Sequence, residues 1–265
     1  MKKWIFVAVR ATALVSSLSS TLWFGTLGVT SLAHASPELG QLRYLSEEYQ
    51  PYNFSNDAGK PTGFSVELLQ LVWRQTETPA QVITLLPWAR AYYLLAQEPN
   101  VVLFSTARTQ TRAPMFKWAC PIGDADIVLM GLAARDIRLG KQEDGHQYRF
   151  GAVQSDVGEQ LLLNGGIDEQ RIAATSTLPQ ALDLLTSGKV DLLASNKTTL
   201  LALIHTRQLD SAQFKVAKVL SAEQFCFAFS QGVDDDLVKE FQQGLSQVLK
   251  HPEFQLLQTK YFPSR

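Results

Sequence analysis

The sequence is poor in residues that bind metals or staple small domains, with two cysteines, four histidines and three methionines among 265 residues. Two cysteines cannot complete a structural zinc site, and His146, His205 and His251 are scattered without ligand spacing. Neither metal nor cofactor is expected, and each of these histidines reads as a surface or satisfied core residue. Catalytic signatures are missing too: no HExxH, nucleophile elbow, P-loop or suggestively spaced pair of carboxylates occurs. Beyond residue 35 no apolar run approaches a membrane span, and no repeat, low-complexity linker or long charge run interrupts the chain.

The first 35 residues lack acids altogether. Lys2, Lys3 and Arg10 precede an apolar stretch from Ala11 to Val29, and Ala33-His34-Ala35 offers small residues to signal peptidase before Ser36-Pro37. Residues 1–35 are therefore expected to be a cleaved secretory signal. An uncleaved anchor is the rival, since Ala11 to Ala33 is just long enough to span, but the stretch is rich in Ser and Thr. No cysteine follows the run to carry a lipid. Removing three basic groups leaves 21 Lys and Arg against 25 Asp and Glu, a net charge of −4. That field argues against sequence-independent nucleic-acid binding. A soluble, exported protein is expected.

What remains alternates between strand and helix patterns. Leu42 to Leu45, Gln81 to Leu86 and Val101 to Ser105 read as strands; Val66 to Trp73, capped by Ser65, and Trp88 to Ala96 read as helices. A second set follows. It has strands at Ile127 to Leu132, Tyr148 to Val153, Val190 to Ala194, Phe214 to Leu220 and Phe225 to Phe229. Its helices start at Gly158, Ala181 and Thr198, and Asp234 to Asp236 favour the start of a long amphipathic helix to Leu249 before a last one, Pro252 to Tyr261. Such alternation predicts an α/β fold with largely parallel sheets.

Three segments carry a resemblance. They are Tyr49-Gln50-Pro51-Tyr52-Asn53-Phe54 with Gly59-Lys60 and Gly63-Phe64-Ser65-Val66-Glu67-Leu68; Thr109-Gln110-Thr111-Arg112 with Phe116; and Ala181 to Asp191, ending Ser187-Gly188-Lys189-Val190-Asp191. In this order they resemble the family-3 extracellular solute-binding proteins, amino-acid receptors of ABC importers. The resemblance implies a periplasmic-binding-protein-like type II fold, two α/β lobes with a hinge and a discontinuous first lobe. Lobe 1 would comprise residues 36–122 and 222–265, and lobe 2 residues 123–221. It further implies a monomer in the periplasm that captures a small polar, amino-acid-like or carboxylate-bearing solute and delivers it to a membrane permease.

The same resemblance assigns candidate residues. Arg112 would clamp a carboxylate through two parallel hydrogen bonds; without its flanking motif it would read as an exposed helix-start arginine. Tyr49 and Trp88 would wall the ligand, or simply fill the core. Arg90 would add a second positive charge, or lie on the surface. Ser105 would sit on the strand before the arginine motif, and Asp156 at a helix N-terminus of lobe 2, facing the cleft or only capping the helix. Two positions depart from the family pattern. Ala107 replaces a frequent hydroxyl, and Asn196 stands where the acid that pairs with an α-ammonium is usual. With Arg90, Arg108 and Arg112 near the ligand, the expected cleft is positive and favours anionic or zwitterionic solutes over arginine or lysine. Cys120 and Cys226 would both fall near the lobe crossings in an oxidising compartment, as a disulfide or as two buried thiols. Two other functions stay open: a dehydratase-like enzyme of this fold, with Glu223 as its testable acid, or a sensor reporting a solute to a signalling partner.

Overall fold

Apolar strand segments without polar alternation must be covered on both faces, and Val101–Ala107, buried at every position, shows where that core runs. The computed structural model describes residues 38–139 and 147–263; the predicted signal segment 1–35 and His146 lie outside the described residues. The strands are β1 (Arg43–Ser46), β2 (Phe54–Ser55), β3 (Pro61–Thr62), β4 (Ile83–Leu85), β5 (Val101–Ala107), β6 (Lys117–Leu132), β7 (Phe150–Val153), β8 (Ile172–Thr175), β9 (Leu192–Asn196) and β10 (Phe214–Phe229). The helices are α1 (Phe64–Gln75), α2 (Trp88–Gln97), α3 (Val157–Asn164), α4 (Leu178–Thr186), α5 (Lys197–Thr206), α6 (Asp235–Val248) and α7 (Pro252–Tyr261).

Eight strands form one sheet in the order β4-β1-β5-β10-β6-β9-β7-β8, and β2 with β3 forms a separate hairpin. At one end β1 runs parallel to β4 and β5; at the other β7 runs parallel to β8 and β9. Two 16-residue strands, β6 and β10, join these groups as an antiparallel pair running from Phe214↔Leu132 to Phe229↔Lys117. The sheet is thus two half-sheets sharing a ribbon: of the ribbon, β5 meets only the last part of β10, Phe225 to Phe229, and β9 only Ile127 to Gly131 of β6.

The ribbon corrects the strand expectations. The separate strands at Phe214 to Leu220 and Phe225 to Phe229 are one, and the strand at Ile127 extends back to Lys117. Alternation is weak between them because Ala222, Glu223 and Gln224 pair with Asp126, Ala125 and Asp124 where little covers the sheet. Three register shifts interrupt the ribbon, one between Phe225 and Phe227. There Gln242 of α6 supplies missing partners: the Cys120 N–H donates to its Oε1 at 2.8 Å, and its Nε2 donates to the Cys120 carbonyl at 2.9 Å. Beside this clamp Cys120 is disulfide-bonded to Cys226, with the Cα atoms 4.6 Å apart.

Helix starts follow capping chemistry with one correction. Ser65 lies inside α1, and Gly63 takes the cap position with φ 118°. A Cβ on Gly63 would stand 2.4 Å from the Tyr52 carbonyl oxygen, in a backbone region that L-residues avoid. Gly63→Ala is therefore expected to cost about 1–3 kcal/mol, lowering the melting temperature by about 2–12 °C. An unchanged thermal melt would show that the turn relaxes freely. Asp234 accepts from the Asp236 N–H at the start of α6, and His251 Nδ1 from the Glu253 N–H at the start of α7.

Candidate functional site

In open parallel sheets, loops at the carboxyl ends of strands converge on one crevice. Here Glu47 follows β1, Trp88 follows β4, Arg112 follows β5, Asp156 follows β7, and Asn196 ends β9. The two half-sheets bring these ends face to face.

Arg112 lies at the centre, with no solvent exposure. Thr109 Oγ1 accepts from its backbone N–H at 3.2 Å, which holds the loop that aims the side chain. Its Nε donates to Gln160 Oε1 of α3 at 2.9 Å, its Nη2 to the Ser155 carbonyl at 3.2 Å and its Nη1 to the Ala107 carbonyl at 3.5 Å. The guanidinium carbon sits 5.2 Å from the Trp88 ring centre and 5.0 Å from that of Tyr92. Burial pulls its pKa down, while Asp156, Tyr92 and Glu47 support the charge. An arginine stays protonated in such surroundings.

Ser155 is the meeting point between the half-sheets. It holds φ 60°, an uncommon conformation for serine, and so turns its carbonyl toward three donors. These are Trp88 Nε1 at 2.9 Å, Arg112 Nη2 at 3.2 Å and Gln160 Nε2 at 3.2 Å. Trp88 and Arg112 come from one half-sheet, Ser155 and Gln160 from the other, so the Trp88 and Arg112 bonds tie the two together.

Tyr49, Trp88, Arg112 and Asp156 are all buried here. The Tyr49 ring packs edge-on to Phe225 at 6.0 Å, and burial together with the Asp156 and Glu47 charges pushes its hydroxyl pKa well up. Asp156 does cap α3, its Oδ1 accepting the Val157 N–H at 2.6 Å, and it also shares the arginine's field. Burial raises its pKa and Arg112 opposes that rise.

The other candidates are placed differently. Ser105 is buried, but its hydroxyl donates to Asn53 Oδ1 and lies 2.8 Å from Ser65 Oγ, inside its own half-sheet. Asn196 is spent on structure. Its Oδ1 accepts from both the N–H and the hydroxyl of Thr199, and its Nδ2 donates to the Asp126 carbonyl. Arg90 is exposed, its guanidinium 5.7 Å from the Tyr93 ring centre, because two residues along a helix from Trp88 lies the opposite face. Arg108 is exposed as well and lines a cavity of about 460 Å³ with Asp124, Asp126 and Glu223 on the ribbon. Glu223 thus borders that ribbon cavity, and Arg90 and Arg108 make no hydrogen bond to the groups around Arg112 among the described residues.

Sequence reasoning missed Glu47, Tyr92 and Gln160. Glu47, 8% exposed, has its pKa raised by burial and by Asp156, against the pull of Arg112. Beside Glu48 it reads as half of a solvated acidic pair; its place at the end of a central strand is the only signal that marks it. Two buried carboxylates therefore feel the charge of one guanidinium.

The profile of bacterial extracellular solute-binding proteins, family 3, matches residues 44–264. No curated protein matches in sequence. Among solved structures, a histidine kinase sensor domain with similarity to periplasmic binding proteins superposes with TM-score 0.74 at 20% identity, covering 84% of this chain and 96% of that one. A mutant of ArgBP from T. maritima gives TM-score 0.72 at 21% identity over 84% and 95%. An ABC uptake transporter substrate-binding protein from Streptococcus pneumoniae with bound histidine gives 0.74 at 17% over 84% and 92%. These likenesses establish the periplasmic-binding-protein-like fold. No described helix is long and apolar enough to cross a membrane. With a profile match over most of its length, this chain belongs to the bacterial extracellular solute-binding proteins, family 3.

Proposed function

We propose that this protein is a monomeric periplasmic receptor, exported by residues 1–35, that closes two lobes around a small carboxylate-bearing amino-acid-like solute for an ABC importer. Lobe 1 is residues 36–122 with 222–265, lobe 2 residues 123–221, and the β6–β10 ribbon is the hinge. The observation that carries this reading is Arg112, buried against the Trp88 and Tyr92 rings and bonded to groups of the opposite half-sheet. A guanidinium has five N–H donors, so the bonds to Gln160, Ser155 and Ala107 leave two for a carboxylate. A solute held there touches both lobes only when they are shut, and that difference in contacts is what favours closure. Binding needs no acid or base poised for proton transfer, and Glu223 lines the ribbon cavity with Arg108, Asp124 and Asp126.

A thermal-shift screen of amino acids, small peptides and organic acids tests the reading. At a hundredfold excess over Kd a true ligand stabilises by about 2.7 kcal/mol, or about 5–11 °C in melting temperature. A flat response across all three classes would refute a receptor of this kind. The likeness to a kinase sensor domain favours a second reading, in which the same cleft reports its solute to a signalling partner. Solute uptake lost on deleting the gene supports the importer role; intact uptake with a lost transcriptional response supports the sensor.

A further inference from the structure

The two half-sheets are bonded to each other at three separate places. At the centre the Ser155 carbonyl accepts from Trp88 Nε1 at 2.9 Å and from Arg112 Nη2 at 3.2 Å, and Arg112 Nε donates to Gln160 Oε1 at 2.9 Å. On one flank the Thr206 hydroxyl of α5 donates to Gln50 Oε1, which follows β1, at 3.0 Å. Beside Gln50, Phe54 lines a cavity of about 190 Å³ with Leu178, Pro179 and Leu203 of the other half-sheet. At the last residue of α3, Asn164 Nδ2 donates to Thr111 Oγ1 of the Arg112 loop at 3.5 Å. Every donor and acceptor here belongs to the chain itself, so none of these bonds needs a solute. Ser155 also holds φ 60°, a conformation that serine seldom adopts, and it aims its carbonyl at the other half-sheet.

We propose that these contacts are a latch that keeps the two half-sheets shut in the solute-free protein, with Trp88 and Gln160 at its centre and Thr206 on its flank. This rests on the β6–β10 ribbon acting as a hinge. A neutral hydrogen bond biases an open–shut equilibrium by about two- to tenfold, and one donated by a guanidinium by about ten- to a hundredfold. Two bonds from Arg112, one from Trp88 and one from Thr206 together favour the shut form strongly. A solute's own contacts then add to a closure that the chain already prefers. Solute enters only through the minor open form, so association is slower than for the same cleft without the latch.

The test is small-angle X-ray scattering on the purified exported protein, stripped of solute by unfolding and refolding with its disulfide intact. The unmutated protein is expected to scatter as a particle with its half-sheets in contact. The triple variant Trp88→Phe, Gln160→Met, Thr206→Val is expected to show a larger radius of gyration, since it loses three latch bonds and a bias of about a hundredfold or more. Thr206→Val alone, at an exposed position, should shift in the same direction by less. Open scattering from the unmutated protein overturns the proposal, as does unchanged scattering in the triple variant. Should the triple variant not fold, Gln160→Met with Thr206→Val decides by the same criterion. The solute screen is independent of this result: a latched protein that no solute stabilises overturns the receptor reading and leaves the latch, whereas an open protein that a solute stabilises overturns the latch alone.

Discussion

Arg112→Ala is expected to abolish solute binding, with affinity falling by about thirtyfold to several thousandfold, while the protein still folds. The estimate follows from leaving a desolvated carboxylate unpaired, about 2–5 kcal/mol. In this structure the loss goes further. The Ser155 carbonyl and Gln160 each lose a donor, and Glu47 and Asp156 lose the cation that offsets them. These losses fall on the contact between half-sheets, whereas the apolar cores stand on residues such as Phe104, Phe227 and Phe241. Calorimetry beside a melting curve separates the two effects. Retained affinity would remove Arg112 from the site, and a lost cooperative melt would make it structural. Arg112→Lys should not rescue, because an ammonium cannot serve the Gln160, Ser155 and Ala107 oxygens together in the planar geometry seen here.

The second large effect is expected at the Cys120–Cys226 bond, which joins the two ribbon strands across a sequence separation of 106 residues. In the chain-entropy account a loop of about that length stabilises the fold by about 4–5 kcal/mol. Replacing both cysteines by serine should lower the melting temperature by about 8–20 °C. Thiol titration of the denatured, unreduced protein checks that the bond forms. Two free thiols, or a serine variant that melts like its parent, would count against it.

Much of the fold was legible because period and punctuation are local. α7 runs over the predicted Pro252 to Tyr261, and α6 ends one residue earlier than expected. The ribbon was misread as separate strands, since Asp124, Asp126, Glu223 and Gln224 interrupt the apolar pattern where the sheet faces solvent. β8 was overlooked because its pattern, partly buried and exposed by turns, lacks an apolar run. Within the site, Arg112 and Trp88 stood out by motif and chemistry. Arg90 did not follow them inward, because helical rotation sets which side chain faces the opposite half-sheet.

The sequence alone determined the α/β alternation, the family and the guanidinium most suited to a carboxylate, since each depends on residue type and spacing along the chain. Tertiary structure decided the charge of the site. It paired Asn196 with Thr199 and the Asp126 carbonyl, turned Arg90 and Arg108 to water, and set Glu47 in the field of Asp156 and Arg112. Spacing reports which groups a segment carries, but solvation and partners come from residues far away in sequence. A charge acts strongly only where the fold has removed the water around it.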